Sequence, residues 1–516
     1  MLLNNRTMAA FLVLYIVVLL LLCTYGAHRA HLVWLCVRYR KQLRAALVQP
    51  AVTDSDLRTV TVQLPLFNEA TVVERLLDAV ARFDYPADRF EIQVLDDSTD
   101  ETEALARRKV AELVSRGLDA VYLRRPNRVG YKAGALEYGL RYAKGELIAI
   151  FDADFIPQPE FLKAVATDFR DPRVGMVQTR WAHLNRDESL LTSVQALMLD
   201  GHHLVENRAR FGSGCMFNFS GTGGIWRRAA IEDAGGWEHD TLTEDLDLSY
   251  RAQLKGWRFI YRPDVVTPAE LPAEMSAFRA QQYRWAKGTV QTARKLLGRV
   301  LSEPLTLRQR VEACFHMLPH FAYPLTLLLS VLLLPALIVL PVTDGRTLLL
   351  IDLPLCMGAT GSLVTFYSMA ETAQGGTVWS ALRRVPAVIA LGAGLSPHLT
   401  RAVADGMGNM AGEFVRTPKR GAAAGRYWQY ARLPLLEIAL GLISFASVLA
   451  SVETRHWFAT PFAFLFMMGY GFVAWLVASE QLGQRLSPRS EGERPSTPEL
   501  GIETVQTADG SVAGAV

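Results

Sequence analysis

The sequence predicts an α/β domain joined to a set of membrane-spanning helices. Between residues 59 and 298, short apolar runs alternate with helix-length segments, as in domains built on a largely parallel sheet. Apolar segments on both sides of this region are long enough to cross a hydrocarbon layer of ~30 Å. A length of 516 residues leaves room for several such units. The formal net charge of +3 is too close to zero to indicate a nucleic-acid partner.

The first apolar segment predicts an N-terminal transmembrane anchor in residues 1–35, followed by a linker in residues 36–57. A cleaved signal peptide is the alternative, but no clear small-residue cleavage site precedes the basic flank. Because basic residues stay on the cytoplasmic side, we expect the following domain in the cytoplasm and the N-terminus outside. The basic flank consists of Arg38, Arg40, Lys41 and Arg44.

The α/β domain is expected to occupy residues 58–300. Its strand candidates are β-branched or apolar runs, and its helix candidates are the longer segments between them. The predicted strands are 59–66, 90–95, 120–123 and 147–151, and the predicted helices are 70–82, 101–116 and 133–143.

A second membrane region is expected in residues 301–485. Four segments are long enough to span, whereas 381–399 carries arginines and is assigned as an interfacial amphipathic helix, which keeps the basic loops cytoplasmic. The tail 486–516 is rich in Ser, Glu, Pro and Thr and is expected to be disordered. The five cysteines form no CxxC pair and are expected to be free thiols. The predicted spans are 321–342, 348–370, 433–452 and 457–478.

Two carboxylates follow the fourth predicted strand, at Asp152 and Asp154. Side chains two residues apart in a strand point the same way, so both can reach one ligand at the sheet edge where open α/β sheets bind ligands. Paired carboxylate oxygens suit Mg²⁺ or Mn²⁺. Turn-forming aspartates are the alternative, with about even odds for this pair alone.

Polar side chains also follow two other predicted strands. Asn68 and Glu69 come after the first strand, and Asp96 and Asp97 come after the second. Each pair could cap a helix, but polar groups on three strands that meet at one edge favour a nucleotide site. Lys132, at the start of a helix, could approach a phosphate or could be a solvated lysine.

The segment 241–251 contains three acids. Its first residues predict a capping box from Thr241 to Glu244, at which a helix would begin. A carboxylate held near a cleft is what a general base requires, and Glu244 or Asp245 could supply it. One of the two could face the cleft while the other caps the helix. The segment 217–227 reads as a glycine-rich turn that allows close approach to a bulky ligand, with a plain turn at equal weight.

The segment 281–285 predicts a helix that presents Gln281, Arg284 and Trp285 on one face. An arginine can make fork-like hydrogen bonds to a pyrophosphate, and a tryptophan offers a flat surface for a sugar ring. A basic helix at the bilayer surface is the alternative.

Taken together, these motifs resemble the membrane-embedded family 2 glycosyltransferases of the cellulose synthase superfamily. The order Asp96-Asp97, Asp152-Ala-Asp154, Thr243-Glu-Asp245 and Gln281-x-x-Arg-Trp285 carries the resemblance, which covers roughly residues 55 to 480. The segments 217–224 and 254–259 look closest to the cellulose-synthase-like A and C branches, which make mannan, glucomannan or glucan backbones. The loop 412–421 is similar to the gating loop of that superfamily, except for Arg416.

The resemblance implies a GT-A (Rossmann-like) cytoplasmic domain with an α-helical transmembrane bundle, in the inner or plasma membrane. It implies a nucleotide-sugar donor, UDP-glucose or GDP-mannose, and a growing β-linked polysaccharide as acceptor. Asp96 and Asp97 would contact the nucleoside, with Asn68, Glu69 and Lys132 also on the donor side. Asp154, and less directly Asp152, would handle the metal and the diphosphate.

On the acceptor side, the resemblance implies that Asp245 takes the proton from the acceptor hydroxyl. Gln281 and Arg284 would serve the diphosphate and the acceptor end together with Glu244, and Trp285 would lie under the terminal sugar. Transfer would invert the anomeric configuration. A single transfer to a lipid acceptor is a second hypothesis, and a transporter with a nucleotide-binding domain is a remote third. The sequence does not decide between glucose and mannose.

Overall fold

The computed structural model describes residues 5–48, 50–339, 360–408 and 434–486. Four of the expectations therefore lie outside the described residues, wholly or in large part. These are the gating-like loop 412–421, the tail 487–516, most of the predicted span 348–370, and Cys356. The other four cysteines are free thiols, as predicted.

One seven-stranded mixed sheet forms the centre of the α/β domain, with the strand order β3-β2-β1-β4-β6-β5-β7. β1 pairs in parallel with β2 and β4, β3 is parallel to β2, and β6 runs antiparallel between β4 and β5. β7 is parallel to β5. The strands are β1 (Val60–Leu66), β2 (Phe90–Asp96), β3 (Ala120–Leu123), β4 (Leu147–Ile150), β5 (Val174–His183), β6 (Gly224–Arg227) and β7 (Arg258–Ala269).

The four predicted strands are confirmed, each to within one residue at its ends. Three strands were not predicted. β6 begins at Gly224, inside the segment assigned as a glycine-rich turn, and only residues 220–223 of that segment turn. Its residues are fully buried between β4 and β5, so neighbouring strands rather than local propensity make it extended.

Helices cover both faces of this sheet. Alternate residues of β4 face opposite ways: Leu147 and Ala149 join the cluster beneath α3 and α4, whereas Ile148 and Ile150 join the cluster beneath α5, α9 and α10. The helices are α1 (Asn5–Arg38), α2 (Arg40–Ala46), α3 (Val73–Val80), α4 (Thr102–Ser115), α5 (Tyr131–Leu140), α6 (Phe161–Ala166), α7 (Leu190–Gly201), α8 (Asn207–Ser213), α9 (Arg228–Asp233) and α10 (Glu244–Leu254).

The three predicted helices correspond to α3, α4 and α5, with shifted ends. The predicted capping box at Thr241 is wrong, because α10 begins at Glu244 with Thr243 as its N-cap residue and without a side-chain cap. Residues 242 and 243 instead contact the next long helix. The Leu242 N–H donates to Gln291 Oε1 at 3.0 Å.

The described residues after β7 are mostly helical, and α1 is a long apolar helix at the other end of the chain. Five described segments are long and apolar enough to cross a membrane: Met8–Arg38, Pro319–Val339, Val378–Gly408, Leu435–Glu453 and Thr460–Leu482. The helices after α10 are α11 (Met275–Ser302), α12 (Leu307–Met317), α13 (Ala322–Val339), α14 (Ser362–Ala373), α15 (Val378–Gly408), α16 (Leu435–Glu453) and α17 (Thr460–Leu486).

Four of these five segments coincide with predicted spans. The fifth is α15, which contains the segment 381–399 that we assigned to the bilayer surface. This helix packs closely on α17, since a Cβ added at Gly394 would lie 2.3 Å from the Gly469 carbonyl oxygen. Its length and composition would also allow it to span, and its interfacial placement stays a prediction.

The helix α11 connects the α/β domain to the membrane helices. The backbone N–H groups of Met275 and Ser276 donate to Glu480 of α17, at 2.5 and 3.1 Å. One turn later, Arg279 pairs with Glu437 of α16 at 3.0 Å. A carboxylate at a helix N-terminus and a paired buried charge both fix the helix in place.

Candidate active site

One cavity lies at the edge of the sheet where β1, β2 and β4 end. Its lining comes from the strand ends, from the first turns of α5 and α10, and from α11. The sequence-predicted residues that line it are Glu69, Asp97, Lys132, Asp152, Asp154, Glu244, Asp245, Gln281, Arg284 and Trp285. Residues from far apart in the chain are thus brought together, as predicted.

The predicted residues Asn68 and Asp96 do not line the cavity, because both hold turns. Asn68 has a φ of 56°, and its Oδ1 accepts the Thr99 N–H at 2.8 Å. Asp96 is fully buried, and its carboxylate accepts from the Ser98 N–H at 2.9 Å and from the Tyr122 hydroxyl at 2.7 Å. In each adjacent pair the second residue, Glu69 or Asp97, lines the cavity instead.

Asp97 is held in a rigid orientation by an arginine that the sequence did not indicate. Arg125 Nε and Nη2 donate to the two carboxylate oxygens at 2.8 and 2.6 Å, and both side chains are only 8% exposed. Arg125 also donates to the Tyr131 carbonyl at 2.7 Å. This fork ties the end of β2 to the start of α5 and fixes the carboxylate towards the cavity.

Next to Asp97, the cavity has a flat cationic wall. The guanidinium carbon of Arg128 lies 3.3 Å above the centre of the Phe67 ring and 5.0 Å from that of Tyr131. All three side chains line the cavity. Such a stacked surface beside a fixed carboxylate suits a planar ring that also donates hydrogen bonds.

The centre of the cavity is strongly charged. The Lys132 ammonium contacts the Asp152 carboxylate and donates to the Gly221 carbonyl at 2.9 Å. Burial alone would lower the pKa of Lys132, but the nearby carboxylates of Asp152, Glu244 and Asp245 outweigh it and raise this pKa. Lys132 therefore stays charged and holds the negative groups together.

Asp152 and Asp154 lie in the turn that follows β4, not on the strand itself, which ends at Ile150. The turn is fixed because the Asp152 N–H donates to Thr222 Oγ1 at 2.9 Å and the Phe155 N–H donates to the Asp152 carbonyl at 3.1 Å. Asp154 is 4% exposed, and Asp152 is more open. Both carboxylates line the cavity, as the spacing predicted.

The first turn of α10 brings two acids to the same place. Burial and the neighbouring Glu244 carboxylate raise the pKa of Asp245 to about 7, although the Leu246 N–H and Lys132 oppose this. Burial likewise raises the pKa of Glu244, although the positive charge of Lys132 acts to lower it. Both residues line the cavity, and Asp245 Oδ1 also accepts the Leu246 N–H in the first turn of α10 at 2.8 Å.

The glycine-rich turn 220–223 packs against Asp245. Gly221 has a φ of +83°, and a Cβ there would lie 3.2 Å from Asp245 Oδ2. A buried glutamine that the sequence did not indicate holds this turn: Gln178 Oε1 accepts the Ser220 N–H at 2.8 Å, and its Nε2 donates to the Gly223 carbonyl at 3.0 Å. Position 221 favours glycine because its φ is positive and the Asp245 carboxylate lies so close to it.

The helix α11 presents Gln281, Arg284 and Trp285 to the cavity on one face, as predicted. It can approach α10 closely because of a glycine: a Cβ at Gly288 would lie 2.8 Å from the Thr243 nitrogen. Burial lowers the pKa of Arg284, against the pull of Glu244, Asp152 and Asp245. Two cationic side chains therefore face the central carboxylates, one from α5 and one from α11.

Comparisons with known proteins agree with this geometry. A family profile described as "Glycosyltransferase like family 2" matches residues 58–288. Glucomannan 4-beta-mannosyltransferase 2 of Arabidopsis thaliana is 44% identical over 252 residues, which are 48% of this chain and 47% of the relative. Glucomannan 4-beta-mannosyltransferase 1 of Cyamopsis tetragonoloba is 32% identical over 467 residues, 85% of this chain and 86% of the relative.

The chain thus matches about half the length of the Arabidopsis relative and most of the Cyamopsis one. Among solved structures, the mannosyltransferase PcManGT from Pyrobaculum calidifontis, in complex with GDP-Man and Mn²⁺, is 24% identical with a TM-score of 0.44, covering 75% of this chain and 99% of that chain. The family profile and the mixed α/β sheet confirm the GT-A fold that was predicted. With its sheet-edge carboxylates, its membrane-type helices and a relative that matches nearly its whole length, the chain belongs to the family 2 glycosyltransferases of the cellulose synthase-like superfamily.

Proposed function

We propose that this enzyme is an inverting, processive β-mannosyltransferase that extends a β-1,4-linked mannan or glucomannan. The observation that carries the proposal is the set of groups that line one cavity: a stacked wall beside a carboxylate that suits a nucleotide, a cluster of charged side chains and an aromatic platform. Mannose is favoured over glucose by the relatives, which are named for mannosyl transfer. GDP-mannose is therefore the proposed donor, with UDP-glucose as the alternative.

The donor would bind with its base and ribose at the wall made by Phe67, Arg128 and Asp97. The fixed Asp97 carboxylate offers acceptors for donor groups of the nucleoside, and Glu69 lies in the same wall. Lys132 would approach the diphosphate. Its charge is maintained at neutral pH by the carboxylates around it.

The residues present fit a divalent cation. Asp152 and Asp154 supply hard carboxylate oxygens within one turn, and Asp154 is almost fully buried in that turn. These two side chains would hold Mg²⁺ or Mn²⁺, and the ion would offset the charge of the departing diphosphate. Lys132 contacts Asp152 and would then serve the diphosphate oxygens.

Asp245 is proposed as the general base. A pKa of about 7 leaves this carboxylate partly deprotonated at neutral pH and still basic enough to accept a proton. The acceptor hydroxyl oxygen would bond to the anomeric carbon as the bond from that carbon to the diphosphate breaks, and Asp245 would take the hydroxyl proton. Displacement on the opposite face converts an α-linked donor into a β-linked product.

The acceptor end would rest on α11. Trp285 offers a flat surface for the terminal sugar, and Gln281 and Arg284 supply hydrogen bonds to the acceptor and the diphosphate. Glu244 would help to orient these groups. Because α11 is attached to α16 and α17, we further propose that the domain lies in the cytoplasm of a multi-pass cell-membrane enzyme and that the product leaves across the membrane.

The test is transfer of radiolabelled sugar by the detergent-solubilised full chain. Separate reactions would contain GDP-mannose, UDP-glucose or UDP-N-acetylglucosamine with Mg²⁺ or Mn²⁺. We expect alcohol-insoluble product from GDP-mannose that an endo-β-1,4-mannanase digests. Asp245→Asn should abolish it, and Asp119→Asn, an exposed acid outside the cavity lining, should not.

The other outcomes are informative. Product that only a β-1,4-glucanase digests would change the donor to UDP-glucose and keep the mechanism. Label found only in the lipid extract would indicate a single transfer to a lipid acceptor and overturn processive synthesis. Full activity of Asp245→Asn would overturn the assignment of the base.

A further inference from the structure

The cavity also has lining residues that were not predicted as site residues, from β5, from α7 and from the segment directly after β7. One of its walls is α7, which packs directly on α14: a Cβ at Gly201 would lie 2.5 Å from the Phe366 ring. This part of the cavity lining therefore lies next to the helical bundle. Its lining residues are Trp181, His183, Leu199, Leu271 and Pro272.

Trp181 is held there in one orientation. Its indole N–H donates to the Thr222 carbonyl at 3.3 Å, and its ring meets Phe155 edge to face at 5.3 Å and His203 at 5.2 Å. His203 belongs to a π-helical turn between α7 and α8, an irregularity common near functional sites. A half-buried indole fixed by three neighbours presents a rigid apolar surface to the cavity.

His183 follows Trp181 on the same face of β5, two residues later. Its Nε2 lies 3.3 Å from Asp200 Oδ1, and this carboxylate is fully buried. Asp200 also contacts Arg186 and accepts from Gln374, which directly follows α14, at 2.6 Å. Burying a carboxylate costs free energy unless the group is well paired. These contacts satisfy Asp200 and thereby fix the orientation of the His183 ring.

From these contacts we propose that Trp181, with His183 beside it, forms a subsite for the second sugar ring of the acceptor, the ring that follows the one on Trp285. The proposal rests on the proposed function. A β-linked pyranose has C–H faces that pack on an indole and hydroxyls that pair with an imidazole. The apolar residues Leu199, Leu271 and Pro272 would line the path of the chain towards the bundle.

Binding of the second sugar ring at this subsite should determine how long the product stays bound between transfers. Losing one aromatic contact is expected to weaken binding by about 3- to 10-fold. In Trp181→Leu we therefore expect product chains that are about 3- to 10-fold shorter, measured by gel filtration of radiolabelled product made from GDP-mannose. Trp181→Phe should restore most of the length, and His183→Asn should shorten it.

The matched control is Trp257→Leu. Trp257 is another tryptophan of the α/β domain, but its indole N–H donates to Asp233 and it does not line the cavity. Its product length should equal that of the wild type. The inhibition constant of GDP should be the same, within about twofold, in all variants that fold, because the contacts of Trp181 are with Thr222, Phe155 and His203 rather than with the nucleotide wall.

A second measurement does not depend on synthesis. Binding of tritiated β-1,4-mannotetraose to the purified protein with GDP present, followed by equilibrium dialysis, should weaken by about 3- to 10-fold in Trp181→Leu. Wild-type product length in Trp181→Leu, a parallel loss of GDP affinity, or unchanged tetraose binding would each overturn the subsite. If the wild type bound tetraose through Trp181 but made no polymer, processive synthesis alone would be wrong.

Discussion

Replacing Lys132 by methionine should move the pH dependence of the reaction to higher pH. Lys132 Nζ and Asp245 Oδ2 lie 3.7 and 3.2 Å from the same point, the Cβ position of Gly221, so the two groups are within about 7 Å of each other. Lys132 lowers the pKa of Asp245, while burial and Glu244 raise it to about 7. When the ammonium charge is removed, burial and Glu244 still raise the pKa of Asp245, and the local backbone hydrogen bonds still lower it.

The size of the shift follows from this distance. Two unit charges ~7 Å apart interact by roughly 2 kcal/mol at an effective dielectric constant of ~20, which corresponds to between one and two pKa units. Solvent reaches the half-buried carboxylates and screens part of this interaction, so we expect a rise of about one unit. A base must be deprotonated to work, so activity falls as the pH drops through its pKa.

The assay is kcat/KM for the donor as a function of pH, from about pH 5 to pH 10, because this ratio reports the base of the free enzyme. The wild type should reach half its maximal value near pH 7, and Lys132→Met near pH 8 with a lower maximum. Lys132→Arg is the matched control, because it keeps the charge and should keep the wild-type midpoint. An unchanged midpoint in Lys132→Met would refute the electrostatic coupling of Lys132 to Asp245.

Three further predictions concern donor binding, the metal and the bundle. Arg125→Lys breaks the fork on Asp97, so the KM for the donor should rise about tenfold with kcat nearly unchanged; an unchanged KM would argue against a donor-side role. Asp154→Asn should weaken Mn²⁺ binding at least about tenfold, followed by electron paramagnetic resonance of free Mn²⁺ with GDP present; equal affinity would exclude this carboxylate as a ligand. Gly469→Ala would place a Cβ 2.0 Å from an α15 carbonyl oxygen and should lower stability by about 1–3 kcal/mol in thermal unfolding, whereas Gly471→Ala, which meets nothing within 4 Å, should not.

The strands that the sequence predicted are those whose own residues specify them. In β1 and β2 apolar residues largely alternate with polar ones, and β4 is wholly apolar; either pattern between turns predicts a strand without further information. β6 consists of four residues, Gly-Ile-Trp-Arg, directly after a glycine-rich turn, and it is a strand because β4 and β5 pair with it on both sides. A strand that depends on pairing with distant strands has no local sequence pattern that would predict it.

Within the site, the sequence predicted which positions meet but not which of two neighbours faces inward. Asn68 and Glu69 are adjacent, as are Asp96 and Asp97. The member that holds the turn is decided by a partner distant in sequence, Thr99 after β2 for Asn68 and Tyr122 of β3 for Asp96. Arg125 and Gln178 were missed for the same reason. Arg125 contacts Asp97, which is 28 positions away in the chain, and Gln178 contacts the turn at Gly223, which is 45 positions away.

The helix α11 shows why the catalytic domain and the membrane helices cannot be understood separately. Its N-terminus is held by Glu480 of α17, and its middle is pressed against Thr243 through Gly288, directly before the two acids of α10. Between these two attachments it carries Trp285 and Arg284 into the cavity. Effective transfer requires the acceptor hydroxyl to lie within a few tenths of an ångström of its reactive position. We therefore infer that the attachments to α17 and to α10 together set the distance between the proposed acceptor platform and the proposed base.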